Sequence, residues 1–531
     1  MGVYKKLFID GWEFYRTDLS ASFEEIRAAE NCFQPVEIPH DWLIYDVKNL
    51  YRDGCGWYRK KFGLSEKRGP VLLRFEGVYM DSTVYVNGRK TADWKYGYST
   101  FDVDITEAAE VGENEIIVQV RFQAPNSRWY SGAGIYRKVW IKLCDKAYLP
   151  LDGTYVSVRP CAEGNTTDFL LEAETETAGQ TKDCFLRYSL WKDREKLEDL
   201  AVIPCGESLR RKVERPLLWD VEDPQCYELR VELCGHSETG EEILWDHDRI
   251  TIGFRTLSFH PEKGCFLNGR PIKIHGVCEH HDLGCLGVAF HPSAVERKLK
   301  ILKAMGVNAI RTSHNMQAPE FLELADRMGF LVDNEAFDMW ERTKTAYDYG
   351  RFFKEWAQKD VRSWVRRDRN HPCLMLWSIG NEIYDTHVDE HGQEITRRLI
   401  DFVRKYDPKE NAPITIGSNY MAWENARKCA DIVKFAGYNY GEKYYEEQHK
   451  EHPDWIMYGS ETASLVQSRG IYHFPLRQSV LADEDEQCSA LGNSTTSWGA
   501  RSLEKCIMGD RDAEYIFGQF LWSGFDYIGE P

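Results

Sequence analysis

The 531-residue sequence has no apolar run near the roughly 18 residues that cross a bilayer, which excludes a membrane-spanning helix. Its opening, Met1 to Arg16, lacks the apolar stretch and small-residue cleavage site of a secretory signal, so a cytoplasmic setting is expected. The 15 cysteines are odd in number, scattered and never spaced Cys-x-x-Cys, a pattern of reduced thiols rather than a disulfide framework. Positive charge is outnumbered, 67 Lys and Arg against 85 Asp and Glu for a net −18, so neither nucleic acid nor an anionic membrane finds the basic face it needs. No Gly-x-Ser-x-Gly elbow and no Gly-x-Gly-x-x-Gly loop occurs, which leaves esterase and dinucleotide readings without support. What is abundant is aromatic: 13% of residues, with 17 Trp and 28 Tyr, rings that suit sugar faces but that large cores also use.

A hydrophobic share of 43% with 29% charged residues is ordinary globular composition, and the length points to three or four domains. The first 148 residues read as β: Ile116, Val118, Val120 and Phe122 alternate with Ile117, Gln119 and Arg121, and Val84-Tyr85-Val86 runs into the hairpin dipeptide Asn87-Gly88. A sandwich with one short helix near Ser22–Glu30 is expected. Residues 149–257 carry further strands at Phe169–Thr175, Cys184–Trp191 and Tyr227–Cys234, the pattern of a second, immunoglobulin-like sandwich. From 258 onward short apolar runs alternate with amphipathic segments. Strands are expected at Ile272–Val277, Asn308–Ser313, Phe330–Glu335, Leu374–Ile379, Ile414–Gly417, Ile432–Tyr438, Ile456–Gly459 and Ile516–Trp522. Ser293-Ala-Val-Glu296 reads as a capping box opening the first helix, and Pro319 as the start of the second. Eight strands with helix-length connections give a (β/α)8 barrel. The sequence ends at Pro531 with no residues for an eighth helix, so a longer protein, or another segment covering that flank, is expected.

In such a barrel chemistry gathers at the strand C-termini. Those positions hold His280, His281 and Asp282, then Arg311, His314 and Asn315, then Asp333 and Glu335, Asn381 and Glu382, Tyr438 and Tyr440, Glu461, and finally Trp522 and Asp526. Glu382 and Glu461 follow the fourth and seventh strands and face one another across a barrel mouth. Hydrolysis of a sugar acetal needs such a pair, one protonated to release the leaving oxygen and one ionised to meet the anomeric carbon. Repulsion between them raises the pKa of one, so a neutral acid and an anion coexist near neutral pH. Strand-end glutamates that are simply solvated or paired with arginine would read the same way.

The run Arg366-Arg-Asp-Arg-Asn-His-Pro-Cys-Leu-Met-Leu-Trp-Ser-Ile-Gly-Asn-Glu382 resembles the acid/base signature of glycoside hydrolase family 2, which includes β-galactosidases and β-glucuronidases. Ile274–His280, Asn308–His314, Pro39–Trp42, Gly54–Arg59 and Trp129–Arg137 resemble further blocks of that family, in its order of jelly-roll domain, immunoglobulin-like domain and barrel. The resemblance, most like bacterial β-galactosidases, implies a retaining hydrolase of terminal β-galactosides. Glu382 would be the acid/base and Glu461 the nucleophile. Asn381 would bond the sugar 2-OH, while Arg311 and Tyr440 would hold Glu461 ionised. His280 and His314 would bind sugar hydroxyls and Trp522 would pack on the ring. An arginine at a strand end is also a common structural partner, and Trp522 could equally plug a core.

Some stretches depart from the β-galactosidase pattern. Where that pattern places metal ligands after strand three, this sequence reads Ala336-Phe-Asp-Met-Trp-Glu341, so no obligatory metal is expected, and no cofactor. Ser464 replaces a histidine beyond the nucleophile, and Asn126-Ser127-Arg128 lacks the aspartate that the first domain supplies. The expected partner is a small carbohydrate, and self-association stays open. A β-glucuronide or β-galacturonide substrate, and a non-catalytic sugar-binding fragment, are the alternatives. His387-Val-Asp-Glu-His391 matches a zinc pattern that needs both histidines on one helix, but it falls in a polar connection interrupted by Gly392.

Overall fold

A computed structural model describes residues 4–162, 167–237, 239–464 and 503–529. In the N-terminal region a six-stranded antiparallel sheet (ordered Gln34–Val36, Trp12–Thr17, Gly54–Leu64, Gly112–Phe122, Ser82–Val86, Arg89–Trp94) packs on a four-stranded one (Tyr4–Leu7, Val139–Leu143, Val71–Phe75, Phe101–Asp104). Ile116, Val118, Val120 and Phe122 are buried between them, as the alternation predicts. Asn87 (φ 49°) and Gly88 (φ 80°) make the two-residue turn joining Val86 to Arg89. Both need the left-handed region, which asparagine and glycine tolerate best. Ser22 caps the helix Phe23–Ala28 through a reciprocal bond with Glu25.

A second pair of sheets follows. Three strands (Thr154–Pro160, Asp168–Thr175, Leu209–Glu214) face four (Glu195–Pro204, Phe185–Lys192, Tyr227–His236, Glu242–Ile252), with Phe169, Leu171, Tyr188, Leu229, Val231 and Leu233 forming a separate core. The described cysteines are all free. No helix among the described residues is long and apolar enough to cross a membrane.

The remainder is a closed parallel barrel. Its strands are β1 (Ile274–Glu279), β2 (Ala309–Thr312), β3 (Leu331–Glu335), β4 (Leu374–Asn381), β5 (Ile414–Ser418), β6 (Phe435–Asn439), β7 (Ile456–Ala463) and β8 (Ile516–Trp522). The helices described between them are α1 (Pro292–Ala304), α2 (Pro319–Met328), α3 (Gly350–Asp368), α4 (Tyr384–Val388), α5 (His391–Tyr406), α6 (Glu424–Val433), α7 (Tyr445–Glu451) and α8 (Leu503–Arg511). Among the described residues no helix follows β8. A cavity of about 1120 Å³ beside β1 and β8 is lined by Met305, Val307, Ile507 and Leu521 among others.

Two local expectations change. The Ser293 capping box does not form: His291 is the N-cap and Pro292 occupies the first helical position, where its missing N–H costs nothing and its fixed φ suits the turn. Strand six begins at Phe435 rather than Ile432, because the half-buried Ile432 and Val433 finish α6, packed against the core, and Lys434, at φ 63°, turns the chain out of the helix. An apolar run of that length fits either element until packing decides.

The first sandwich sits on the barrel mouth. Arg137, fully buried, donates to the carbonyls of Glu76 and Tyr98 on its own side and of Met316 on the other. Ser99 and Trp94 donate to Asp360 of α3, and the Tyr96 hydroxyl donates to the Ala336 carbonyl. These buried polar contacts fix which sandwich loops overhang the strand ends.

Candidate active site

Glu382 directly follows β4 and Glu461 lies in β7, and both are buried in the barrel mouth. The Asn439 amide, at the end of β6, donates to Oε1 of Glu382 at 3.1 Å and reaches Oε2 of Glu461 at 3.4 Å, so the two carboxylates share one donor. The backbone takes the left-handed region at Glu382 (φ 46°) and Tyr440 (φ 53°). That is costly for non-glycine residues and is held only by surrounding contacts, as at many functional sites. Here the Glu382 N–H donates to the Gly417 carbonyl and the Tyr440 N–H to the Glu461 carbonyl.

Around Glu461 the hydrogen bonds are charge-assisted. Arg311 donates through Nη1 to its Oε2 at 3.0 Å and uses its other nitrogens on Glu335, bidentately, and on Asn381 Oδ1 at 2.7 Å. The Tyr440 hydroxyl donates to Glu461 Oε1. His314 pairs through Nδ1 with Glu335 at 2.7 Å, while its Nε2 stands 3.7 Å from Glu461. Its ring stacks at 5.3 Å on Trp522, and His280 packs against Trp522, Trp129 and His314. Burial holds both histidines well below the ordinary imidazole pKa. Asn381 donates through Nδ2 to Asp338 at 2.9 Å. The eight residues expected at the site therefore form one continuous cluster.

Four neighbours were not expected. Arg128, from the first sandwich, donates to Glu382 Oε2 at 3.1 Å and forks onto Asp338, whose other cation is the buried Lys344 at 2.8 Å. Asn439 is the fourth. It stands one residue before Tyr440, within reach of a strand-end reading. Arg128 lies in a stretch read only as lacking an aspartate, and nothing local marks its partner.

These charges act on both carboxylates. Burial, then the neighbouring Glu382 charge, raises the Glu461 carboxyl to about 7, with Arg311 and Tyr440 offsetting only part. Burial would raise Glu382 as well, but Arg128 and then Lys344 outweigh it and bring that carboxyl below its usual range. Arg128 therefore favours the ionised form of Glu382, while Arg311 and the Tyr440 hydroxyl favour that of Glu461.

Outside the mouth, Asp326, His371 and Cys373 form a cluster with metal-ligand chemistry. Its groups already satisfy one another: His371 Nδ1 bonds Asp326 at 2.6 Å, and the Cys373 N–H donates to the same carboxylate. His387 and His391 lie on separate helices, α4 and α5, so the zinc pattern is not assembled; His391 instead pairs with Glu341 and Glu394.

A parallel barrel with paired acids at strands four and seven beneath a β-sandwich defines a class, and family models agree with it. The glycosyl hydrolase family 2 sugar-binding domain matches residues 20–144, and the family's TIM-barrel domain matches residues 261–466. The chain belongs to glycosyl hydrolase family 2. It is similar to the β-galactosidase BoGH2A of Bacteroides ovatus, 36% identical over 98% of this chain and 67% of that protein. It is 27% identical to a β-glucuronidase of Bacteroides fragilis over 93% of this chain and 73% of that one. Among solved structures, a β-glycosidase from Bacteroides vulgatus matches with TM-score 0.85 and 29% identity, over 99% of this chain and 71% of that one. A family 2 member from Bacteroides cellulosilyticus matches with TM-score 0.83 and 30% identity, over 99% and 65%. The chain spans 67% of the first curated relative and about half, 52% and 49%, of the next two.

Proposed function

We propose that the protein hydrolyses terminal β-D-galactosides with retention of configuration, using Glu461 as nucleophile and Glu382 as acid/base. The observation that carries this reading is the single amide of Asn439 bonding both carboxylates, a spacing suited to holding one anomeric carbon between them. A leaving group seated against Glu382 displaces the Arg128 nitrogen from Oε2, and burial then raises that carboxyl. The charge passes to Glu461, where Arg311 and Tyr440 stabilise it. Glu461 attacks the anomeric carbon as the leaving oxygen takes the Glu382 proton. The glycosylated Glu461 carries no charge, so Glu382 ionises readily and accepts a proton from the water that releases the sugar. Asn381 lies next to Glu382 for the 2-OH, and His280, His314 and Trp522 border the sugar position.

The galactoside is preferred because the stronger likeness is to a β-galactosidase, at 36% identity against 30% or less for the β-glucuronidases. A β-glucuronide or β-galacturonide is the second reading, supported by the likeness to β-glucuronidases. The division we propose is a sugar-binding sandwich at 1–148, an immunoglobulin-like sandwich at 149–257 and the catalytic barrel at 258–531. Free thiols support a reducing, cytoplasmic setting. Hydrolysis of nitrophenyl β-galactoside against the β-glucuronide separates the two substrates. Glu461→Gly is expected to abolish turnover, with azide restoring it as a glycosyl azide of inverted configuration. Full activity in that variant refutes the assignment.

A further inference from the structure

An aromatic cluster outside the cavity of the two acids has no place in the mechanism above. Helix α4 begins two residues after Glu382 and carries Tyr384 and His387. Tyr420 lies two residues beyond β5, fixed by a bond from its N–H to Ser418 Oγ at 3.0 Å, and the Trp423 N–H donates to the Tyr420 carbonyl at 2.8 Å. The Glu382 N–H bond to Gly417, at 2.9 Å, ties the two strand ends together. The rings form one group. His387 lies 3.8 Å from Tyr420, 5.1 Å from Trp423 and 5.8 Å from Tyr384, and Tyr420 and Trp423 are 5.5 Å apart. Burial most of all, and then the Glu382 charge, raises the Tyr420 hydroxyl, while Arg128 opposes the rise, so that hydroxyl lies within electrostatic reach of both.

The group is not simply core. Trp423 is 51% exposed and Tyr384 37%. Trp423 occupies the N-cap of α6 yet supplies no capping bond, so helix formation does not account for an indole there. Clustered apolar surface kept in water beside a polar cleft marks a place where a ligand covers it. Its position identifies the ligand: an acid protonates the oxygen of the leaving group, so the wall on the Glu382 side faces that group.

We propose that Trp423 and Tyr420, backed by His387 and edged by Arg128, are the leaving-group subsite, and that it takes a flat-faced ring, a sugar or an aryl group, by stacking. This rests on Glu382 being the acid. Stacking on an indole adds favourable contact that a methyl leaving group cannot make.

The test is binding rather than turnover, so that it stands apart from the hydrolytic reading. In Glu461→Gln protein, Kd is measured by calorimetry for the methyl glycoside, the phenyl glycoside and a β-linked disaccharide, in both the galactose and glucuronic acid series. The ring-bearing ligands are expected to bind about tenfold tighter than the methyl glycoside, roughly 1.4 kcal/mol. Trp423→Ala should remove that advantage and Trp423→Phe keep most of it. An advantage confined to phenyl, or to the disaccharide, supports the platform and identifies its natural ring. No ring advantage, or one that survives Trp423→Ala combined with Tyr420→Ala, overturns it. Wild-type protein that binds these ligands with the ring advantage but cleaves none of them refutes the hydrolytic reading and leaves the platform supported.

Discussion

Arg128 of the first sandwich donates to the Glu382 carboxylate of the barrel at 3.1 Å, so the sandwich adds a cation beside an acid at the end of β4. Its guanidinium also forks onto Asp338, which accepts a further bond from Lys344. Truncating Arg128 removes a cation that stabilises ionised Glu382 and therefore raises that carboxyl. A general acid works while protonated, so the alkaline limb of kcat/KM is expected to move to higher pH in Arg128→Met. A pH–rate profile with an unmoved alkaline limb contradicts this role.

Asn439 bonds both glutamates, so its loss is expected to affect both steps of the proposed mechanism. Asn439→Ala is expected to lower kcat/KM by about 10²-fold, the scale of removing one oriented donor from an active site. Thermal denaturation should change little by comparison. A variant with wild-type kinetics would show that the shared amide does not set the geometry of the pair.

Tyr440 donates to Glu461, and a bond to the ionised form favours it. Tyr440→Phe should raise the Glu461 carboxyl, and a nucleophile must be ionised to attack. The acid limb of the rate profile is expected to move to higher pH, with kcat falling about tenfold or more. An acid limb displaced to lower pH reverses the argued sign.

Stability should depend on pH through Asp152, in the connection between the two sandwiches. Burial pushes this carboxyl up, but Arg74, at 2.6 Å, outweighs burial and brings it down to about 2. A depressed folded-state pKa stabilises the protein above the unfolded value near 4, and that stability is lost as pH falls toward 2. Asp152→Asn should therefore cost about 1–2 kcal/mol near neutral pH. The difference from wild type should shrink between pH 4 and pH 2 in denaturant titrations; a constant difference across that range argues against the ion pair as its source.

The barrel was legible because its strands are nearly continuous apolar runs, buried on both faces, with helices of clear 3.6-residue period between them. Leu374 onward and Ile516–Trp522 read this way, and the acids at their ends followed from the rule that barrel chemistry sits there. Ile432–Tyr438 was less legible, because one apolar run served first as a helix face and then as a strand. The Ser293 box was misleading because Pro292 had already started the helix.

Sequence by itself determined the order of elements, the family and the two glutamates, since each depends on residues close along the chain. Tertiary structure alone decided which charges surround those glutamates. Arg128 and Glu382 are 254 residues apart, and charges act through space, so no local pattern links them. The same holds for Asn439 and for the rings around Trp423, whose meaning comes from what the closed barrel and the overlying sandwich place beside them.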